Sequence, residues 1–327
     1  MYPVFSIRFN SDLCGVKQAV KHASQAEEAG FSVFWYCQDL FKRDAWIALS
    51  AAARSTSKIK LGTSIVNPYS SSIVEIAMRA ATMQELSDGR FLLGIGPGAP
   101  ETLRWAGIQV EKPVAGLAEA VKNLRKLLTE NNRNTFGLKF NLPHPVPIYV
   151  GGQGTRVAKL MGMMGDGGLP LAVPPESAVT TLQNIREGAA AAGRDFSSID
   201  VSTCLWYCVE ESHEQILSSP SLKLLIAYYG PMLSDALLQA AGLSSSDFND
   251  LRKFLERGET EKALDMVNRD MLRLAITATY DESEKLLKRF KQLYALGVNH
   301  FNLGPPLGSD IGKVIEFTGE IIAQLGR

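Results

Sequence analysis

The chain holds 327 residues, with 34 lysines and arginines against 34 aspartates and glutamates, so its formal net charge is zero. At 46% hydrophobic and 21% charged residues it has the composition of a folded globular protein, which excludes a disordered chain. The even charge argues against a nucleic-acid groove, which needs clustered Lys and Arg, and no apolar run approaches the ~20 residues of a membrane span.

Short β-branched runs alternate with amphipathic ones along the chain. Residues 4–9 read as a first strand and 12–28 as a helix stopped by Gly30. A second strand over 31–37, a helix over 45–54 and a third strand over 59–66 follow, the last running into Asn67-Pro68. The helix 72–86 ends at Ser87-Asp88-Gly89, and the fourth strand, 91–95, ends at Gly96-Pro97-Gly98. A helix over 115–128 leads to a polar loop over 131–147, then a short fifth strand at 148–150 and a helix at 155–164. The sixth strand is 168–173, with helix 175–192 behind it, and the seventh is 199–209. A mostly helical stretch, 213–274, interrupts the rhythm before helix 283–296, an eighth strand at 298–303 and a last helix at 311–325.

Eight apolar strands, each followed by a helix, predict an α/β fold with a parallel sheet closed into a (β/α)8 TIM barrel. An open doubly wound sheet is the alternative. Residues 1–327 are expected to form one domain, with 213–274 a helical insertion after strand seven. The apolar run 224–229 in that insertion either covers the barrel mouth, builds an oligomer contact, or packs against the insertion's own helices. Cys14, Cys37, Cys204 and Cys208 form no C-x-x-C pair, and no ligand spacing surrounds His22, His144, His213 or His300, so no metal site is expected. The N-terminus lacks a basic region followed by an apolar core, so the protein is expected to be cytoplasmic.

A barrel collects its chemistry at the C-terminal ends of its strands. That rule selects 36–39, 63–69, 94–100 and 151–156. Gly94-Ile95-Gly96-Pro97-Gly98-Ala99 fits the dinucleotide pattern only superficially, since it follows the fourth strand and Pro97 removes an amide. Its glycines make either a tight turn or a close backbone approach to a flat ligand. Gly151-Gly152-Gln153-Gly154-Thr155-Arg156 lies between a strand and a helix, where free amides, a hydroxyl and a guanidinium favour a phosphate-bearing ligand. No Walker loop, G-x-S-x-G elbow or H-E-x-x-H helix occurs, so the demanding chemistry is assigned to a bound cofactor.

Four segments carry a resemblance: GTSIVNPY at 62–69, LSDGRFLLGIGPG at 86–98, PIYVGGQG at 147–154 and GDG at 165–167. In that order they resemble the luciferase-like superfamily of flavin and deazaflavin oxidoreductases. Within it the chain most nearly resembles the coenzyme F420-dependent methylenetetrahydromethanopterin reductases. The resemblance implies a (β/α)8 barrel with an inserted helical region and a non-prolyl cis peptide at Ser64–Ile65, behind the central ring of the cofactor. It implies that Ser64, Ile65, Asn67, Pro97 and Gly98 lie along that ring. It also implies that Gly151, Gly152, Gln153, Gly154, Thr155 and Arg156 hold the phosphate end, and that the protein is a homodimer or homotetramer.

The chain departs from the family where substrate is handled. In place of the usual Asp-His pair after strand two stand Gln38 and Asp39. Ala99 replaces an acidic residue after the strand-four glycines, and Arg8 replaces a glutamate on strand one. Asp39 is the candidate acid or base, with Gln38 beside it in the ring pocket. Arg8 either contacts an anionic substrate or neutralises Asp39 in a structural ion pair. The expected activity is hydride transfer between coenzyme F420 and a small organic substrate. An FMN-dependent monooxygenase and a cofactor-binding protein without turnover are the alternatives.

Overall fold

The computed structural model describes residues 2–129 and 137–326. The first six residues of the polar loop expected at 131–147 therefore lie outside the described residues. The first half of the chain follows the strand-helix rhythm. It runs β1 (Val4–Phe9), α1 (Val16–Glu28), β2 (Val33–Tyr36), α2 (Ala45–Ser55), β3 (Lys60–Thr63), α3 (Ile73–Leu86) and β4 (Phe91–Ile95). Then come α4 (Pro100–Trp105), α5 (Pro113–Thr129), β5 (Ile148–Gly152), α6 (Thr155–Met164), β6 (Gly167–Pro170), α7 (Ala178–Ala191) and β7 (Asp200–Glu210).

Local chemistry sets the ends of these elements. Past α1, Gly30 takes φ +88°, where a side chain is disfavoured, and Phe31 N–H returns to the Ala26 carbonyl at 2.9 Å. At the start of α3, Ser72 and Glu75 cap each other's backbone N–H reciprocally. Arg90, between α3 and β4, donates to the carbonyls of Ala53, Thr56, Ile59 and Ser87 and to the Thr56 hydroxyl, all at 2.9–3.1 Å. It thereby ties the end of α2 to the start of two neighbouring strands.

The strands pair in parallel in the order β1 to β7, and the circle closes through β9 (His300–Leu307), which pairs with both β7 and β1. The barrel therefore has eight strands. The eighth is the run expected at 298–303, extended to residue 307. One element was not expected. β8 (Ile276–Thr279) pairs in parallel with Tyr207–Glu210, beyond the point where β6 leaves β7. Four residues reading Ile-Thr-Ala-Thr carry too little pattern to be separated from the flanking helices in the sequence.

Period-2 alternation sorts the side chains. On β1, Phe5, Ile7 and Phe9 join the large core between strands and helices, while Ser6 faces the barrel axis and meets Ser202. Inside the barrel Val33, Trp35, Leu92, Tyr149 and Leu169 form a separate apolar plug. The Trp35 and Tyr149 rings meet edge-on at 5.3 Å. They fit because the facing positions are Gly62 and Gly167, where a Cβ would fall 2.2 Å and 2.1 Å from the respective rings. Below the plug, Tyr149 donates to Asp200 at 2.8 Å, Asp200 meets His300 at 3.0 Å, and His300 meets Ser6 at 2.9 Å. Those bonds satisfy the buried side chains of Tyr149, His300 and Ser6 at the barrel floor.

The 213–274 stretch forms α8 (His213–Ser218), α9 (Pro220–Tyr229), α10 (Asp235–Ala240), α11 (Asn249–Glu256) and α12 (Thr260–Asp265). They share their own apolar cluster, built on Ile216, Leu222, Ile226, Phe248 and Leu251 and joined to the barrel through Trp206 and Cys208. The run 224–229 divides: Ile226 and Ala227 are buried in that cluster, whereas Leu224 and Tyr228 are exposed. Beyond β8 the chain closes with α13 (Ser283–Ala295) and, after β9, α14 (Ile311–Leu325). No helix among the described residues is long and apolar enough to cross a membrane.

Candidate active site at the barrel mouth

The third strand loses its register at its C-terminal end. Gly62 pairs with Leu92, and the next pairing is Val66 with Ile95, so four residues of one strand span three of the other. This is a β-bulge with one extra residue. Thr63 replaces the missing rungs: its hydroxyl accepts from Gly94 N–H and donates to the Gly94 carbonyl, both at 2.9 Å. The Ser64–Ile65 peptide within the bulge is cis. The buried Cys37 thiol donates to the Ser64 carbonyl at 2.9 Å, so the loop after β2 supports the bulge.

The bulge carries Ile65 over the interior plug, against which it packs half-buried. Two glycines flank it. A Cβ at Gly96 would lie 3.1 Å from Ile65 Cγ1, and one at Gly151 only 2.5 Å from Ile65 Cγ2. A Cβ at Gly98, at φ +72°, would approach the Asn67 side chain to 3.2 Å, and one at Gly152 would lie 3.3 Å from Pro97. The bare backbones of β4 and β5 are thus brought close against the Ile65 side chain, giving an apolar shelf bordered by backbone. Gly96 and Gly151 are required by protein packing. Of the two uses open to the strand-four glycines, close packing of protein on protein accounts for Gly96, whose built Cβ would also fall 2.6 Å from the Gly151 carbonyl.

Gly154 is different. It stands at the N-cap of α6 with φ +87°, no side chain caps the helix there, and no atom lies within 4 Å of where its Cβ would be. Gln153, Gly154, Thr155 and Arg156 are exposed. The first amides of a ten-residue helix, with a hydroxyl and a guanidinium beside them, leave room for an anion. Shelf and helix start stand on the same strand, β5, separated by Gly152 and Gln153.

The acid and amide expected to work beside the ring have other partners. Asp39 Oδ2 accepts from the backbone N–H and the hydroxyl of Ser11 at 3.0 and 2.9 Å, locking the loop after β1 to the loop after β2. Gln38 Oε1 accepts from Ala45 N–H at 2.7 Å while its amide nitrogen donates to Asp44, so its side chain caps α2. Asn67 Oδ1 accepts from the N–H groups of Tyr69 and Ser70, stabilising the turn after the bulge. A cavity of about 190 Å³ lined by Gln38, Asp44, Asn67 and Arg79 lies beside these turns. A second, of about 600 Å³, is lined by residues of α13, β8 and the insertion; three of its cations, Arg273, Lys285 and Arg289, are paired with Asp270, Glu282 and Glu176.

Arg8, at the top of β1 and in register with Trp35, belongs to the mouth. Its neighbours include Cys204, Cys37, Asp39 and Tyr229, and the Gly304 backbone, where a Cβ would lie 3.3 Å from Arg8 Nε. No carboxylate lies within 4 Å of its guanidinium among the described residues, so it is not ion-paired with Asp39. Burial pushes the Cys37 thiol up to about 12 and raises Cys204 as well, even against the lowering influence of Arg8. Both thiols are therefore neutral at physiological pH. Thr63 and Cys37, which build the bulge, fall within the strand-end segments 63–69 and 36–39 that the sequence selects, but nothing in the sequence pointed to their part in the bulge.

A barrel whose mouth carries this bulge, beside an open helix start on the fifth strand, defines a luciferase-like fold. The sequence profile of the luciferase-like monooxygenase family matches residues 10–300, and the chain belongs to that family. It is 30% identical over 315 residues to the 5,10-methylenetetrahydromethanopterin reductase of Archaeoglobus fulgidus, covering 92% of this chain and 93% of the relative. To the enzyme of the same name from Methanolobus tindarius it is 28% identical over 317 residues, covering 94% and 96%. The solved structure of the coenzyme F420-dependent tetrahydromethanopterin reductase of Methanopyrus kandleri superposes with a TM-score of 0.85 at 24% identity, covering 99% of both chains.

Proposed function

We propose that this protein is an oxidoreductase that exchanges hydride between coenzyme F420 and a small organic substrate, in the manner of a methylenetetrahydromethanopterin reductase. The observation that carries this reading is the shelf formed by Ile65 against the backbones at Gly96 and Gly151. It is apolar and partly exposed, and it lies one strand end from an uncapped helix start. A planar ring with a phosphate-bearing tail needs that combination. The reductases named above support reduction over oxygenation, and the coenzyme F420 dependence of the Methanopyrus kandleri enzyme supports deazaflavin over FMN.

In this reading Ser64, Ile65, Pro97 and Gly98 lie along the ring. Gly151, Gly152, Gln153, Gly154, Thr155 and Arg156 hold the phosphate through backbone N–H groups, a hydroxyl and a guanidinium. When bound, the deazaflavin supplies a ring carbon that gives or takes hydride. The chain's part is to fix the ring on a surface that yields little, because Ile65 packs tightly against the backbones at Gly96 and Gly151 above a filled barrel. The plug of Trp35, Leu92, Tyr149 and Leu169 keeps water from reaching the ring through the barrel. Asp39, held by Ser11, stays the nearest candidate acid or base; reaching a substrate requires its second carboxylate oxygen, since Oδ2 is occupied. The protein works as a homodimer or homotetramer, as the resemblance implies.

Titration of the purified protein with coenzyme F420 and, separately, with FMN tests the reading through cofactor absorbance and fluorescence. We expect F420 to saturate at micromolar concentration, and reduced F420 to be consumed when methylenetetrahydromethanopterin is added. Binding of FMN alone, with oxygen consumed once it is reduced, would replace the reading with a monooxygenase. Binding of F420 without turnover on any donor or acceptor would leave a binding protein.

A further inference from the structure

Arg8 is an anomaly of the mouth. A cation taken out of water is strongly disfavoured unless it is paired and hydrogen-bonded. Here Nε is buried with no hydrogen-bond partner, and no carboxylate stands within ion-pairing distance. Asp39, the carboxylate nearest in the loops above it, has its Oδ2 committed to Ser11. The flanking thiols of Cys37 and Cys204 are uncharged at physiological pH and provide no counter-ion. On the β9 side the wall is bare backbone at Gly304, which leaves space for the guanidinium and offers it no acceptor side chain. One layer deeper, in register with Ser6 and Cys204, Asn302 is fully buried with both amide atoms unpartnered. Arg8 as a whole is only half-buried, so part of its side chain reaches the mouth. A guanidinium cannot escape by losing its proton, as a lysine or histidine would. Its missing partner has to arrive from outside.

We infer that Arg8 is the recognition group for an anionic substrate, whose carboxylate docks on the planar guanidinium fork at the barrel mouth. This inference rests on the reading of the mouth as the substrate site. The fork accepts a planar oxyanion through two parallel N–H bonds, which gives orientation as well as attraction and distinguishes it from the point charge of a lysine. Such a substrate would be held by its carboxylate at β1, with its reacting carbon turned toward the Ile65 shelf across the mouth.

The test uses wild-type protein loaded with F420, and the variants Arg8→Gln and Arg8→Lys. Acetate, benzoate and glutarate are titrated against their neutral isosteres acetamide, benzamide and glutaramide. The readouts are the cofactor spectrum and the melting temperature. At least one carboxylate should bind the wild type about tenfold more tightly than its amide. Arg8→Gln should abolish that difference while F420 affinity stays within about twofold, and Arg8→Lys should keep the charge preference but lose several-fold in affinity. If Arg8→Gln does not fold, the Arg8→Lys series decides alone. Three results would overturn the inference: carboxylates and amides binding alike to the wild type, carboxylate binding retained in Arg8→Gln, or F420 itself bound more than about tenfold more weakly by Arg8→Gln, since the anion would then belong to the cofactor. Should F420 fail to bind the wild type, the cofactor reading fails separately, and the carboxylate preference is read from the melting temperature of the free protein.

Discussion

Replacing Gly151 with alanine strikes the shelf directly. The added Cβ would stand 2.5 Å from Ile65 Cγ2 and 3.3 Å from Leu169 Cβ. Carbon atoms pack at ~3.5–4.0 Å, so Ile65 must retreat by about 1 Å. Its χ1 is stiff because the side chain is β-branched, and its Cγ1 is already close to the Gly96 backbone. The strain therefore passes into the bulge. Overpacking of this kind costs about 1–3 kcal/mol, and a displacement of ~1 Å in a positioning surface costs on the order of 10²-fold in rate. Guanidinium chloride unfolding should show the stability loss, and fluorescence titration with F420 should show weakened binding at temperatures where the variant stays folded. The double variant Gly151→Ala with Ile65→Ala removes the clashing methyl. It should recover much of the stability lost by Gly151→Ala but not the binding, because the shelf itself is gone. If Gly151→Ala unfolds and binds F420 like the wild type, the assignment of Ile65 as a rigid ring support is wrong.

Two further predictions concern what holds the barrel's entrance strands. Arg90→Lys keeps the charge but cannot reproduce five bonds in a fixed fork, and should cost about 2–3 kcal/mol in urea unfolding. Glu27 faces an opposing desolvation effect, yet accepts from the backbone N–H groups of Ile59, Lys58 and Ser57, which together hold its carboxyl below the ordinary 4.5. A group with a lowered folded-state pKa stabilises the fold above its unfolded value, and that contribution fades as pH falls through the folded value. Glu27→Gln should thus melt lower than the wild type at pH 6–7, by about 1 kcal/mol after allowing for its partial exposure, and the gap should close as pH falls below about 4.5. A gap that stays constant across that range would refute the assigned role.

The period of the pattern made most of the architecture legible. Alternating apolar strands and amphipathic helices recur eight times, and each unit is specified by residues close together in sequence. β8 escaped because four residues cannot establish a period. The glycines at 94–98 and 151–154 marked the mouth correctly, but not the use made of each one. Gly96 and Gly151 look the same as Gly154 in the sequence, yet the first two lie against Ile65 and the third faces open space. Asp39 and Gln38 sat at the right strand end, and their chemistry suggested work on a substrate. Their donors are Ser11 and the start of α2, which only the folded chain brings near.

The amino-acid order by itself determined which segments are strands, which are helices and at which loops the functional groups collect, since those choices follow from local periodicity, capping and turn chemistry. Only the tertiary structure decided that Ile65 packs against the backbones of two other strands, and that Arg8 stands beside neutral thiols with no carboxylate in ion-pairing distance among the described residues. Those facts depend on distances between residues far apart in the chain, and closing the barrel is what sets such distances.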